Sequence, residues 1–145
     1  WPSYFGSVAR LLKPGGRACI QSIVIDDALF ERYVQGTDFI QQYIFPGGCL
    51  PSPSRIRAAA QAAGLRVVEE FAFGYDYAET LRRWHQRFVQ QRSKVQAQGF
   101  DARFQRTWEF YLAYCEAGFD ARSIDVVQYT LIKDGERPAS SGTLL

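Results

Sequence analysis

Residues 18–25 read Ala-Cys-Ile-Gln-Ser-Ile-Val-Ile, and the architecture follows from how this run is buried. It is short, mostly apolar and rich in β-branched residues, which predicts a strand. Its near-continuous apolarity predicts burial on both faces, as in the sheet of an α/β protein. In front of it, Lys13-Pro14-Gly15-Gly16 ends a helix predicted over 2–12, where Phe5, Val8, Ala9 and Leu12 recur at helical spacing. Behind it, Asp26-Asp27 closes the strand and caps the next helix.

The rest of the chain keeps alternating helix and strand, the order of α/β architecture. Residues 27–44 predict a helix in two pieces, with Leu29, Phe30, Tyr33 and Val34 on one stripe, an interruption at Gly36, and Phe39, Ile40, Tyr43 and Ile44 on the next. Then comes Tyr-Ile-Phe-Pro-Gly-Gly-Cys-Leu-Pro-Ser at 43–52. Pro46 before Gly47-Gly48 forces a turn, Pro51 removes a backbone donor, and Ser52-Pro53-Ser54 reads as a helix entry. Two readings stand for this loop: a connector plugged into the core by Phe45 and Leu50, or the wall of a pocket that offers backbone to a ligand.

A helix is predicted over 54–63 with Ile56, Ala59, Ala60 and Ala63 inward, and a strand over 65–73. Gly74-Tyr75-Asp76-Tyr77 reads as a loop at that strand's C-terminal end, the edge at which open α/β sheets bind ligands. A helix from about 78 places Leu81, Trp84, His85, Phe88 and Val89 on one face and breaks at Gly99. Another spans 102–119 with a stripe of Phe104, Trp108, Tyr111, Leu112, Cys115 and Phe119. A third strand covers 124–133. Residues 1–133 are expected to form one unit, and 134–145 a disordered tail.

Composition narrows the function classes. A net charge of +2 is too small to argue for nucleic acid as a partner. No apolar run reaches the roughly 20 residues of a membrane span, and no signal-peptide pattern opens the chain. Cys19, Cys49 and Cys115 are isolated, and His85 joins no Cys/His cluster, so neither a metal site nor a disulfide framework is expected. Reduced thiols fit a cytoplasmic location. The absence of methionine and the direct entry from Trp1 into a helical pattern lead us to expect a piece of a longer polypeptide. A three-stranded sheet with so apolar a first strand is expected to self-associate through its edge, giving a homo-oligomer.

Candidate site residues follow from position. Gln21, Ser22 and Ile23 lie late in the first strand, where they face a C-terminal cleft; Gln21 also reads as a hydrogen-bonded sheet residue. Tyr77 follows the second strand and reads either as a donor to a small anion or as a packing aromatic. His85, on an apolar face, reads as a buried and satisfied histidine, with catalysis as the alternative reading. Cys49 reads as an apolar filler. Arg82, Arg83 and Arg87 read as a solvated face or as contacts to anionic lipid headgroups. Aromatic content of 15% suits either a packed core or a cavity for long apolar ligands and cationic intermediates.

Four stretches together resemble the cyclopropane-fatty-acyl-phospholipid synthase family, which includes the mycolic acid cyclopropane synthases. They are Leu-Lys-Pro-Gly-Gly-Arg at 12–17, the run at 43–52, Phe-Gly-Tyr-Asp-Tyr-Ala-Glu-Thr-Leu-Arg-Arg-Trp at 73–84 and Phe-Tyr-Leu-Ala-Tyr-Cys-Glu-Ala-Gly-Phe at 110–119. The resemblance implies the C-terminal part of a Rossmann-like class I methyltransferase fold: strands five to seven, the last antiparallel between the other two, with helical substrate-covering insertions. It implies methyl transfer from S-adenosylmethionine to a cis double bond of a phospholipid acyl chain, through a carbocation. A bound bicarbonate then takes the proton that closes a cyclopropane ring. Peripheral membrane contact goes with such a substrate. Of the family's anion-holding residues, Tyr77 matches the tyrosine and Ile23 the isoleucine, while Gln21 stands where the family has histidine. Glutamine donates through its amide but does not titrate, which bears on the product. The cofactor's binding residues are expected before Trp1, and this chain alone is expected to be inactive. Two other readings are a methyltransferase acting on a small molecule and a non-catalytic, self-associating domain.

Overall fold

The computed structural model describes residues 1–135; the expected tail lies almost wholly outside them. A three-stranded sheet of β1 (Arg17–Ile25), β2 (Leu65–Ala72) and β3 (Ile124–Lys133) runs in the spatial order β1-β3-β2. β3 is antiparallel to both neighbours, so β1 and β2 point the same way and end at the same edge. Gln21 stands opposite Gln128 and Ile23 opposite Val126, and a register shift between Val67 and Glu69 bends β2.

Side chains alternate across the strands, and the two faces are covered unequally. One face packs on α1 (Pro2–Leu11) and α3 (Pro53–Ala62), with Phe5, Val24, Ile56, Ala60, Tyr129 and Leu131 at its centre. The other is covered near the C-terminal end of β1 by α4 (Gly74–Gln90) and α6 (Ala102–Asp120), where Ala78, Leu81, Leu112, Phe119 and Val126 form a second core. Cys19, Gln21 and Phe71 on this face are exposed. Burial of residues 18–25 on both faces is therefore not found: only Val24 and Ile25 are buried. One helical layer spans the sheet, while the other reaches only its end.

Tyr129 is wholly enclosed, and its hydroxyl has no hydrogen-bond partner among the described residues. Burial pushes this phenol up to about 12. A buried hydroxyl without a partner carries an uncompensated desolvation cost. Tyr129→Phe is therefore expected to stabilise the fold by about 0.5–1.5 kcal/mol. The urea midpoint measures this; a lower midpoint at unchanged slope would reveal a partner for the hydroxyl.

Four local expectations are corrected. Residues 74–77 are not a loop, because α4 begins at Gly74, whose N–H donates to Asp125 Oδ1 at 2.8 Å. The inward line of α4 then runs through Gly74, Ala78 and Leu81, which leaves Trp84 49% and Val89 40% exposed. His85 is half-buried and makes no hydrogen bond among the described residues, so it is not the satisfied core histidine expected. The helix breaks at Gln91, before the short α5 (Arg92–Ala97), rather than running on to Gly99. Asp26 does cap α2 (Asp27–Val34), accepting from the Ala28 N–H at 2.7 Å.

The arginine cluster on α4 is largely tied down. Arg82 reaches Glu79, Glu116 and Asp120 at 2.6, 3.0 and 3.1 Å, and Arg83 reaches Glu79 at 2.7 Å. The pairs with Glu79 lie within α4, while those with Glu116 and Asp120 tie α4 to α6; exposed as they are, they orient the helices more than they stabilise them.

Candidate functional site

A cavity of about 510 Å³ opens where β1 ends. Five segments wall it: the end of β1, α2, the loop after α2, the second half of α6, and the turn from α6 into the start of β3. Its lining is mostly apolar, with Ile23, Leu29, Phe45, Leu50, Tyr111 and Phe119 prominent and Arg32 and Asp38 also present. Such a lining suits an apolar ligand held by few polar groups.

The loop that forms one wall is held by its own backbone. Asp38 and Gln41 cap reciprocally: the Gln41 N–H donates to Asp38 Oδ1 at 2.8 Å, and the Asp38 N–H to Gln41 Oε1 at 3.0 Å. This starts a π-helical turn over Ile40–Ile44, closed by the Phe45 N–H on the Ile40 carbonyl at 2.8 Å. Pro46 and Gly47 then make a tight turn, with Gly47 at φ +79° and the Gly48 N–H on the Phe45 carbonyl at 2.9 Å. Gln41 Nε2 donates to the Gly48 carbonyl at 3.1 Å, and the Leu50 N–H donates to the Tyr33 hydroxyl at 3.1 Å. At the loop's exit the Ser54 hydroxyl donates to Asp27 at 2.6 Å, and hydrogen bonds from Ser52 and Ser54 hold Asp27 below its usual range.

Of the two readings of this loop, the pocket wall is the one found. Phe45 is 58% exposed rather than plugged into the core, and it meets Tyr111 edge to face at 6.3 Å. Cys49 is exposed on the cavity lining and is no buried filler. Cys115, across the cavity, is pushed up to about 11 by burial, so it stays a thiol at neutral pH and serves as wall. Burial also raises Tyr111 and Tyr114 above the usual phenol range.

The sequence-derived site residues are only partly brought together. Ile23 lines the cavity. Tyr77 lies one turn into α4, its ring 5.3 Å from Phe119 and 6.4 Å from Phe73, against the core that contains Val126. Val126 is Ile23's ladder partner and belongs to the core cluster against which Tyr77 packs. Gln21 shares the sheet face two residues earlier but does not line the cavity. Its Oε1 accepts from Gln128 Nε2 at 3.1 Å, and its own amide N–H groups have no acceptor among the described residues. The Tyr77 hydroxyl has no hydrogen-bond partner among the described residues.

Sequence reasoning missed much of the wall. Tyr111, Cys115 and Phe119 were legible as a helical stripe, but a stripe facing a cavity has the same period as one facing a core. Arg32 and Asp38 gave no such signal. Among the described residues, no three His, Cys, Asp or Glu side chains come together as a metal site would require.

Comparison with known proteins agrees with this layout. The family described as mycolic acid cyclopropane synthetase matches residues 1–129. The chain is 46% identical over 138 residues to the tuberculostearic acid methyltransferase UfaA1 of Mycobacterium tuberculosis, covering 93% of this chain and 32% of the relative. It is 35% identical over 130 residues to the cyclopropane-fatty-acyl-phospholipid synthase of Escherichia coli, covering 88% and 32%. Among solved structures, the mycolic acid cyclopropane synthase CmaA1 complexed with SAH and CTAB superposes with a TM-score of 0.78 at 28% identity, over 91% of this chain and 49% of that one. The cyclopropane synthase MmaA2 from Mycobacterium tuberculosis shares the fold with a TM-score of 0.80 at 23% identity, over 91% and 49%. The chain thus spans about a third of the length of these curated relatives.

Proposed function

Because the chain belongs to the mycolic acid cyclopropane synthetase family, we propose that the protein carrying it transfers a one-carbon unit from S-adenosylmethionine to a cis double bond in a phospholipid acyl chain. The fold is that of a class I methyltransferase, with β3 as the antiparallel last strand between β1 and β2. The observation that carries the substrate class is the 510 Å³ apolar cavity at the C-terminal end of β1. A flexible hydrocarbon chain fits such a space, and the aromatic rings around it favour a cationic intermediate.

S-adenosylmethionine supplies an electrophilic methyl group. The described residues do not fit it as a binding site: β1 runs into Asp26, and β2 runs into α4 at Gly74, with no glycine-rich strand-to-helix turn of the kind that holds a nucleotide cofactor. Its binding groups are not assigned to this chain.

For a small anion such as bicarbonate, Gln21 and Tyr77 offer hydrogen-bond donors. Gln128 occupies the Gln21 oxygen, and neither the Gln21 amide N–H groups nor the Tyr77 hydroxyl has a partner among the described residues. In our reading these two donors and the Ile23 backbone hold the anion, whose chemistry is to accept a proton. Gln21 cannot take up that proton itself. Where the cation instead loses a proton from a neighbouring chain carbon, the product is a methyl-branched alkene, a second reading in keeping with the name of the tuberculostearic acid methyltransferase.

Our reading includes a cytoplasmic enzyme in peripheral contact with membrane. Among the described residues no helix is long and apolar enough to cross one. The outer edge of β1 pairs with no strand among the described residues, which supports self-association there.

The test is to incubate the full-length protein with S-adenosylmethionine and cis-unsaturated phospholipid, then analyse the acyl chains by mass spectrometry and proton NMR. A one-carbon gain at the double bond is expected. Cyclopropane signals give the first product and a methyl branch the second. One-carbon gain on small molecules alone would sink the lipid reading.

A further inference from the structure

Beside the cavity mouth the surface carries an aromatic cluster that no core needs. Phe39 meets Phe110 edge to face at 4.6 Å, Tyr43 at 5.4 Å and Tyr114 at 6.1 Å, and Phe110 lies 5.8 Å from Tyr114. Yet Tyr43 is 56%, Phe110 52% and Tyr114 40% exposed. A contiguous exposed apolar patch on a folded protein marks an interaction surface. This one is continuous with the cavity, because Tyr114 belongs to both.

The charge next to the patch is one-sided. Arg106 lies one helical turn before Phe110 on α6 and Arg103 two turns before it. Both are exposed, and neither forms an ion pair among the described residues. The nearby carboxylates are engaged: Glu109 pairs with Arg92, and Asp38 accepts from Gln41. By contrast, Arg82 and Arg83, which the sequence offered as lipid contacts, are held by Glu79.

We propose that Arg103, Arg106, Phe39, Tyr43 and Phe110 form the surface by which this protein docks on an anionic phospholipid bilayer. The rings enter the headgroup boundary, where amphipathic aromatics are favoured, and the guanidinium groups meet anionic headgroups. The docked face brings the cavity mouth against the bilayer, so an acyl chain reaches Ile23 without crossing water. This rests on the reading of the cavity as an acyl-chain site.

Co-sedimentation of the full-length protein with vesicles tests it, using phosphatidylcholine alone and phosphatidylcholine mixed with phosphatidylglycerol. Wild type is expected to bind the mixed vesicles, more weakly as salt rises. Arg103→Glu/Arg106→Glu is expected to lose at least roughly tenfold in vesicle partitioning. Its turnover of a water-soluble, short-chain unsaturated substrate is expected to be unchanged. Tyr43→Ser is expected to weaken binding to both vesicle types. If circular dichroism shows the reversed pair unfolded, Arg103→Gln/Arg106→Gln carries the test, with a loss of a few-fold. Three results would overturn the proposal: no vesicle binding by wild type, wild-type binding by a folded charge variant, or a variant that turns a dimer monomeric while vesicle binding stays intact. The last would mark an interface between copies. Arginine-dependent vesicle binding with no one-carbon product on any acyl chain would keep this surface and reject the acyl-chain reading; product on solubilised lipid with no vesicle binding would do the reverse.

Discussion

Gly74→Ala is expected to destabilise the fold by about 2–4 kcal/mol, a large share of the stability of a small domain. A Cβ at this position would lie 2.5 Å from Asp125 Oδ1 and 3.2 Å from Phe119 Cδ1. Neither neighbour yields easily. Asp125 Oδ1 accepts from the Gly74 N–H at 2.8 Å and from the Val126 N–H at 2.7 Å, so moving it breaks charge-assisted hydrogen bonds. Phe119 is 3% exposed inside the α4–α6 core. Chemical unfolding at unchanged slope measures the loss. The Gly74→Ala/Asp125→Ala double variant separates the causes, since a clash with the carboxylate makes the pair cost less than the sum of the single changes. A single-variant loss below about 0.5 kcal/mol would mean the strand-to-helix junction is loose, contrary to this packing.

Tyr77→Phe is expected to lower turnover of the full-length enzyme about a hundredfold with little change in stability. Only the hydroxyl is removed; the ring keeps its contacts with Phe73 and Phe119. The hydroxyl has no hydrogen-bond partner among the described residues, so its loss orphans nothing in the fold. If it donates to the anion that takes the proton, its removal acts on the reaction alone. The readout is turnover on cis-unsaturated phospholipid beside the urea midpoint. Unchanged turnover with unchanged stability would remove Tyr77 from the site. Gln21→His in parallel restores a titratable group, and the pH profile of turnover is then expected to gain a limb near neutrality.

The two replacements act on neighbouring turns of the same helix for different reasons. Gly74 starts α4 against β3, and that start places Tyr77 over Phe119. A displaced helix start is therefore expected to carry the Tyr77 hydroxyl with it, so Gly74→Ala lowers activity as well as stability.

Much of the fold was legible in the chain. The apolar β-branched runs at 18–25 and 124–133 and the helix stop and start signals around them are local properties, set by side-chain shape and backbone freedom. The resemblance at 43–52 and 73–84 supplied the strand order. The site was legible only in part. Ile23 lines the cavity at the end of β1, but the stripe through Tyr111, Cys115 and Phe119 reads the same whether it meets a core or a cavity. Arg103 and Arg106 look no different in sequence from Arg82 and Arg83.

The sequence by itself determined where most of the strands and helices lie. Only the tertiary structure decided that β1 is covered on one face along its length and on the other at its end, because coverage depends on how far α4 and α6 reach across the sheet. It also decided which arginines are held in ion pairs and which lie beside exposed rings with no ion pair among the described residues. Those pairings link residues as far apart in the chain as Arg82 and Asp120, and only packing α4 on α6 brings them within reach.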